Sequence, residues 1–102
     1  MGFFDRLHDF GDREVVRTHA MKIDVGLQQI ESASDLPIIK GLSYAIKNEV
    51  HDMLVSARKL TSESIGCLDV KYRGRKVLFG EFLFIVRKAS ERIVERGGYP
   101  II

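Results

Sequence analysis

The chain has 102 residues, 45% of them hydrophobic and 29% charged, and a formal net charge of +2. That is one domain with enough apolar material for its own core, which excludes a chain disordered throughout. Cys67 is the only cysteine, so a disulfide scaffold is excluded, and the longest apolar run, the five residues Phe82 to Val86, is far too short to span a membrane.

No basic stretch followed by a long apolar core opens the sequence, so a cytoplasmic protein is expected. Charge is unevenly spread. Residues 1–70 carry eight Lys/Arg against eleven Asp/Glu, and residues 71–102 carry eight against three. A mildly acidic body with a basic last third points to an anionic partner, or to two regions that neutralise each other in the fold or across a dimer.

In chain order, residues 1–11 form a short amphipathic arm. Phe3, Leu7 and Phe10 fall on one helical face, and Gly11 is expected to end it. Such an arm docks on the protein's own core or a partner chain, or lies on a membrane surface; Asp5 and Asp9 oppose anionic lipid. Residues 12–60 read as an antiparallel helical hairpin. Its first helix starts with Asp12 as cap and Glu14 in the first turn, and carries the narrow seam Val16, Ala20, Ile23, Leu27 and Ile30. Ser32 to Asp35 breaks it. Ser34 or Asp35 then caps a second helix, with Pro37 tolerated in the first turn, where amides have no intrahelical partner to lose. Its face is Ile39, Leu42, Ile46, Val50, Met53, Ala57 and Leu60, widened by Ile38, Ala45 and Val55.

From residue 67 the period changes from helical to alternating. Leu68, Val70 and Tyr72 alternate with Asp69 and Lys71, and Val77 and Phe79 alternate with Lys76 and Leu78. A two-residue turn at Arg73-Gly74 would set Val70 against Val77 and Leu68 against Phe79, placing both apolar sets on one face. The segment 67–79 is therefore predicted as a basic β-hairpin. Residues 80–96 follow as a C-terminal helix with the seam Phe79, Phe82, Val86, Ala89 and Ile93, and residues 97–102 as a tail behind Gly97-Gly98. Read as a strand, Phe82 to Val86 would be a third, fully buried run; the helical seam favours the helix. The fold class expected is mainly α with a small β-hairpin (α+β), the hairpin inserted before the last helix of a single domain, residues 1–102.

Few residues point to chemistry. His8, His19 and His51 share no helical metal-binding face, and no base stands near Cys67, which its neighbours Ile65 and Leu68 mark as a small buried thiol. Glu49 with Asp52, and Asp9 with Asp12, read as solvated polar faces. No catalytic residue, metal or cofactor is expected, and the chain is read as non-enzymatic. The sharper feature is Lys71-Tyr-Arg-Gly-Arg-Lys76. Its cations Lys71, Arg73, Arg75 and Lys76 with the ring of Tyr72 suit a phosphate backbone or another anionic partner, and Arg87, Lys88 and Arg92 on the next helix could extend the patch. Alternatively, these charges only keep exposed strands from pairing edge to edge.

The order helix, helix, hairpin, helix is similar to that of a winged helix. A winged helix needs a short recognition helix just before the hairpin, whereas one long helix fills that stretch here, so no sequence-specific major-groove reading is expected. The apolar run in the last helix exceeds what one partner can cover, so Phe82, Ile85, Val86, Ala89 and Ile93 are expected to form a homo-oligomer interface, most simply of a dimer. The expected function is a small interaction protein acting through an apolar helical face and the basic hairpin, with DNA or RNA binding as the alternative.

Overall fold

The computed structural model describes the backbone of residues 3–102 and the side chains from Phe10 onward. Four helices and one hairpin follow in the order α1 (Phe3–Ser32), α2 (Leu36–Ala57), α3 (Ser62–Gly66), β1 (Asp69–Tyr72), β2 (Arg75–Leu78) and α4 (Phe79–Glu95). This is the expected α+β class with the hairpin before the last helix. No described helix is long and apolar enough to cross a membrane.

The first departure is at Gly11. The predicted arm and first helix are one 30-residue helix. A glycine costs about 1 kcal/mol in a helix interior, but it stops a helix only when it turns left-handed, and Gly11 is not among the positive-φ residues. Asp12 is therefore inside α1 rather than at its start. The apolar face proposed for residues 1–10, with its possible membrane contact, lies outside the described side chains except for Phe10, which is exposed.

Beyond Gly11 the seams are where periodicity places them. Val16, Ala20, Ile23, Leu27 and Ile30 of α1 are all at most 2% exposed, and Ile39, Ile46, Val50, Met53 and Ala57 of α2 face them in the core. The α2 stripe is narrower than predicted: Leu42 is half-buried, and Ile38, Ala45 and Val55 are exposed. The buried neighbour is instead Ser43. Asp35 stands at the N-cap of α2 without a side-chain capping bond.

At Gly26 the two long helices pack closely. A Cβ there would sit 2.7 Å from Cγ1 of Ile46. Gly26→Val should therefore destabilise the fold by about 1–3 kcal/mol through overpacking. Gly41→Ala, at an exposed point of α2 with nothing within 4 Å of the new methyl, should stabilise it by about 0.8–1 kcal/mol through helix propensity. Urea midpoints of the two variants should move in opposite directions.

Strand register is as predicted: Val70 opposite Val77 and Tyr72 opposite Arg75. Arg73 and Gly74 both have positive φ, 54° and 81°, the signature of a type I′ turn. The Phe79 amide donates to the Leu68 carbonyl at 2.9 Å and ends the ladder. The segment Phe82 to Val86 is helical, within α4.

Phe79, Phe82, Val86, Ala89 and Ile93 close the core over α1 and α2. The oligomer face predicted for α4 is thereby corrected. Phe82, Val86, Ala89 and Ile93 are at most 4% exposed within a single chain, and Ile85 is half-buried. Phe82, Val86, Ala89 and Ile93 are covered by the chain's own helices and hairpin and offer a second copy no surface, and Ile85 offers only part of its side chain.

The C-terminal residues are a strap rather than a loose tail. Gly97 (φ 92°) and Gly98 donate to the carbonyls of Val94 and Ile93, the paired bonds of a Schellman cap. The chain then crosses to α2, where the Tyr99 amide donates to Oγ of the buried Ser43, and back to α4, where the Ile101 amide donates to Oγ of Ser90, each at 2.9 Å. Ile101 is 1% exposed. Arg96 reaches the other way and donates to the carbonyls of Ile30, in the last turn of α1, and of Ala33 just beyond it.

Candidate functional site

The hairpin lies along α1, and ion pairs fix it there. Arg17 donates from NH2 to Asp69 Oδ1 at 2.8 Å and from Nε to the Asp69 carbonyl at 3.0 Å. At the other end, Arg73 pairs with Asp24 at 3.2 Å and with Glu31 at 2.7 Å, and its amide donates to Asp24 Oδ2. Those contacts explain an arginine at a left-handed turn position, where a side chain costs about 1–2 kcal/mol. The acidic body and the basic last third neutralise each other at this point, as the uneven charge allowed.

The pKa shifts follow these contacts. Asp69 titrates below the usual carboxylate range, chiefly because Arg17 donates to it; partial desolvation opposes the shift, and the charges of Arg17 and Lys76 reinforce it. Desolvation works against the charged form of Arg73, but the hydrogen bond to Glu31 and the surrounding charges outweigh it and raise its pKa above the ordinary arginine value. Because the folded pKa of Asp69 is depressed, its stabilising contribution is complete above the unfolded value of about 3.9 and disappears as pH falls through the folded value. The urea midpoint should therefore drop on acidification below about pH 4, and drop less in Asp69→Asn than in the wild type.

These anchors change the list of free cations. Arg73 is committed to α1. Tyr72 meets the ring of Phe82 edge-on, with centroids 6.2 Å apart, and the Arg73 guanidinium lies 5.2 Å from its own ring centre. Grouped in the sequence with the cations of an anion-binding patch, Tyr72 packs the hairpin against the core through its contact with Phe82. Lys71, Arg75 and Lys76 remain exposed, with a single long ion pair, Lys76 to Asp69 at 3.9 Å. Lys71 and Lys76 stand directly opposite each other on the outward face. A groove of about 590 Å³ between this face and α1 is lined by Arg17, Asp24, Lys71 and Lys76 among others. Arg87 and Lys88 do not join the site. Arg87 lines a cleft with Ser90, Pro100 and Ile102 beside the strap, and Lys88 is held by Glu91 at 3.6 Å and by the face of Phe84. Arg92 lies in another cleft, beside Leu27, Glu31 and Arg96.

Of the other chemical candidates, Cys67 is exposed rather than buried, its thiol directed at the carbonyls of Glu63 and Ser64. His19 Nδ1 lies 2.6 Å from Glu49 Oε2, tying α1 to α2, while His51 stands exposed at 3.7 Å from Asp52; the side chain of His8 lies outside the described residues. No group of three or more His, Cys, Asp or Glu among the described residues is placed to hold a metal ion. α3, the one short helix before the hairpin, has five residues, buries none of them and carries Glu63 but no cation. It lacks the length and charge of a recognition helix.

Sequence reasoning missed Arg17, Asp24 and Glu31 as the partners that set the hairpin in place. Their only trace was the acidic balance of the first 70 residues. No family model, curated protein or solved structure matches this chain.

Proposed function

We propose that this protein is a small non-enzymatic interaction protein that docks an anionic partner on the outward face of its β-hairpin. The observation that carries the reading is Lys71 opposite Lys76. The pair is a non-hydrogen-bonded one, in which side chains approach most closely, and like charges there are destabilising. The hairpin is otherwise locally well matched, with its turn, register and anchors in agreement. A repulsive pair kept on such a ribbon is explained by what it attracts.

Two readouts test this. A fluorescein-labelled glutamate-rich peptide, titrated with the protein at about 50 and 200 mM salt, should bind at the lower salt and weaken at the higher. A duplex and a single-stranded oligonucleotide run beside it represent the second reading, phosphate contact by Lys71, Arg75 and Lys76. Tighter binding of either oligonucleotide, with a slope steep in salt, would replace the peptide by a nucleic acid. Lys71→Glu turns the repulsive cross-strand pair into an attractive one. It should stabilise the fold by about 0.2–1 kcal/mol while weakening the acidic peptide. A residue present only for solubility would show the first effect without the second.

A further inference from the structure

The hairpin has two edges, and they are treated differently. In an antiparallel ladder the residues of alternate pairs point their amide and carbonyl groups outward. The bond from Phe79 to Leu68 fixes the phase: residues 68, 70 and 72 bond across to 79, 77 and 75, and residues 69, 71, 73, 76 and 78 face outward. On the β1 edge, α1 lies alongside and holds the two ends, with Lys71 between them. Arg17 takes the Asp69 carbonyl and Asp24 takes the Arg73 amide. On the β2 edge, the outward amides of Lys76 and Leu78 and the Lys76 carbonyl have no partner recorded among the described residues. This edge also exposes the Leu78 side chain at 54% and that of Lys76 at 74%.

We propose that the free edge of β2 takes up an extended acidic peptide as a third strand. The inference rests on the docking of an anionic partner proposed above and specifies its form. An edge of this kind binds main chain through its outward amides and carbonyls, and side chains on alternate positions supply selectivity. Here Lys76 and Leu78 point to the outward face, Lys76 beside its neighbour Lys71, and Arg75 to the other. An incoming strand that alternates acidic with apolar or small side chains sets the acidic ones on the outward face, opposite Lys76 and close to Lys71, and the others on the opposite face, beside Val77. A second copy of this chain fits poorly, because pairing two β2 strands brings Arg75 and Lys76 of both copies onto one short ladder to which neither strand contributes a carboxylate, and edge lysines disfavour such self-pairing.

Leu78 permits a test that leaves the fold intact. Its φ is −69°, already the angle of a proline, and its amide serves no bond within the ladder. Leu78→Pro deletes the outward amide, and Leu78→Ala controls for the lost side chain. The probe is a fluorescein-labelled octapeptide alternating glutamate with valine. Two further versions are N-methylated on one or the other set of alternate amides. Leu78→Pro should bind the parent peptide roughly tenfold more weakly than Leu78→Ala. One N-methylated version should weaken by a similar factor, while the other stays close to the parent. Equal binding of all three peptides, together with equal binding by the two variants, would overturn strand addition while leaving charge-driven docking in place. Absence of binding by the parent peptide at low salt would overturn both. If Leu78→Pro does not fold, the two N-methylated peptides decide the question against the wild-type protein.

Discussion

Phe82→Ala is expected to destabilise the protein by about 3–5 kcal/mol, the range for removing a fully buried aromatic side chain. Phe82 is 0% exposed and heads the fully buried side chains by volume. Its ring also holds the edge of Tyr72, so the cavity would open beneath the hairpin. Against a usual total of about 5–15 kcal/mol for a domain, that loss takes roughly a fifth or more of the stability. The melting temperature should fall by roughly 12 °C or more, at about 4 °C or more per kcal/mol for a domain of this size. Urea unfolding followed by circular dichroism measures it. A change below about 1 kcal/mol is small even for a core methyl deletion, and would mean that α4 does not close the core as described.

Reversing the three free cations of the hairpin, in Lys71→Glu/Arg75→Glu/Lys76→Glu, should remove binding of the acidic peptide. Exposed ion pairs are worth about 0.2–1 kcal/mol each, and a reversal replaces each attraction by a repulsion of similar size. Three reversals then cost roughly 1–6 kcal/mol, which is a weakening of about eightfold upward. The fold should survive, because all three side chains are exposed and the anchoring pairs use Arg17, Asp69, Arg73, Asp24 and Glu31 instead. Reversal of Arg87 and Lys88, which lie apart from the hairpin on α4, should leave binding within about twofold, the scale of a surface change below 0.5 kcal/mol. Equal losses from the two sets would indicate attraction to net charge alone.

Locally specified features were legible from the residues. The seams of α1 and α4 follow from spacings of three and four, and the register of β1 on β2 from alternation across Arg73-Gly74. Both signals live within ten or twenty residues, the range over which side-chain periodicity decides which face is apolar. The turn itself was read from glycine beside a residue with no special liking for positive φ. Its stability comes from Asp24 and Glu31, which lie 49 and 42 residues away.

Most of the misreadings share one cause. Ile38, Ala45 and Val55 sit on the apolar side of α2 by pattern yet are exposed, and Cys67 is exposed beside two apolar neighbours. A pattern shows which face of an element is apolar but not how wide a strip its neighbours cover. The oligomer face predicted on α4 failed for the same reason: its seam is apolar because α1, α2 and the hairpin bury it. Gly11 was a different error, since a glycine permits a helix end without enforcing one.

By itself, then, the sequence determined the α+β class, the helical seams, the hairpin and its register, because each is written in neighbouring residues. The tertiary structure alone decided which cations remain free. Arg73 is spent on α1 and Tyr72 on Phe82, while Lys71, Arg75 and Lys76 stay exposed beside an uncovered strand edge. That division depends on charges and rings brought together from distant parts of the chain, where the energy of a contact depends on position in space and no longer on spacing along the backbone.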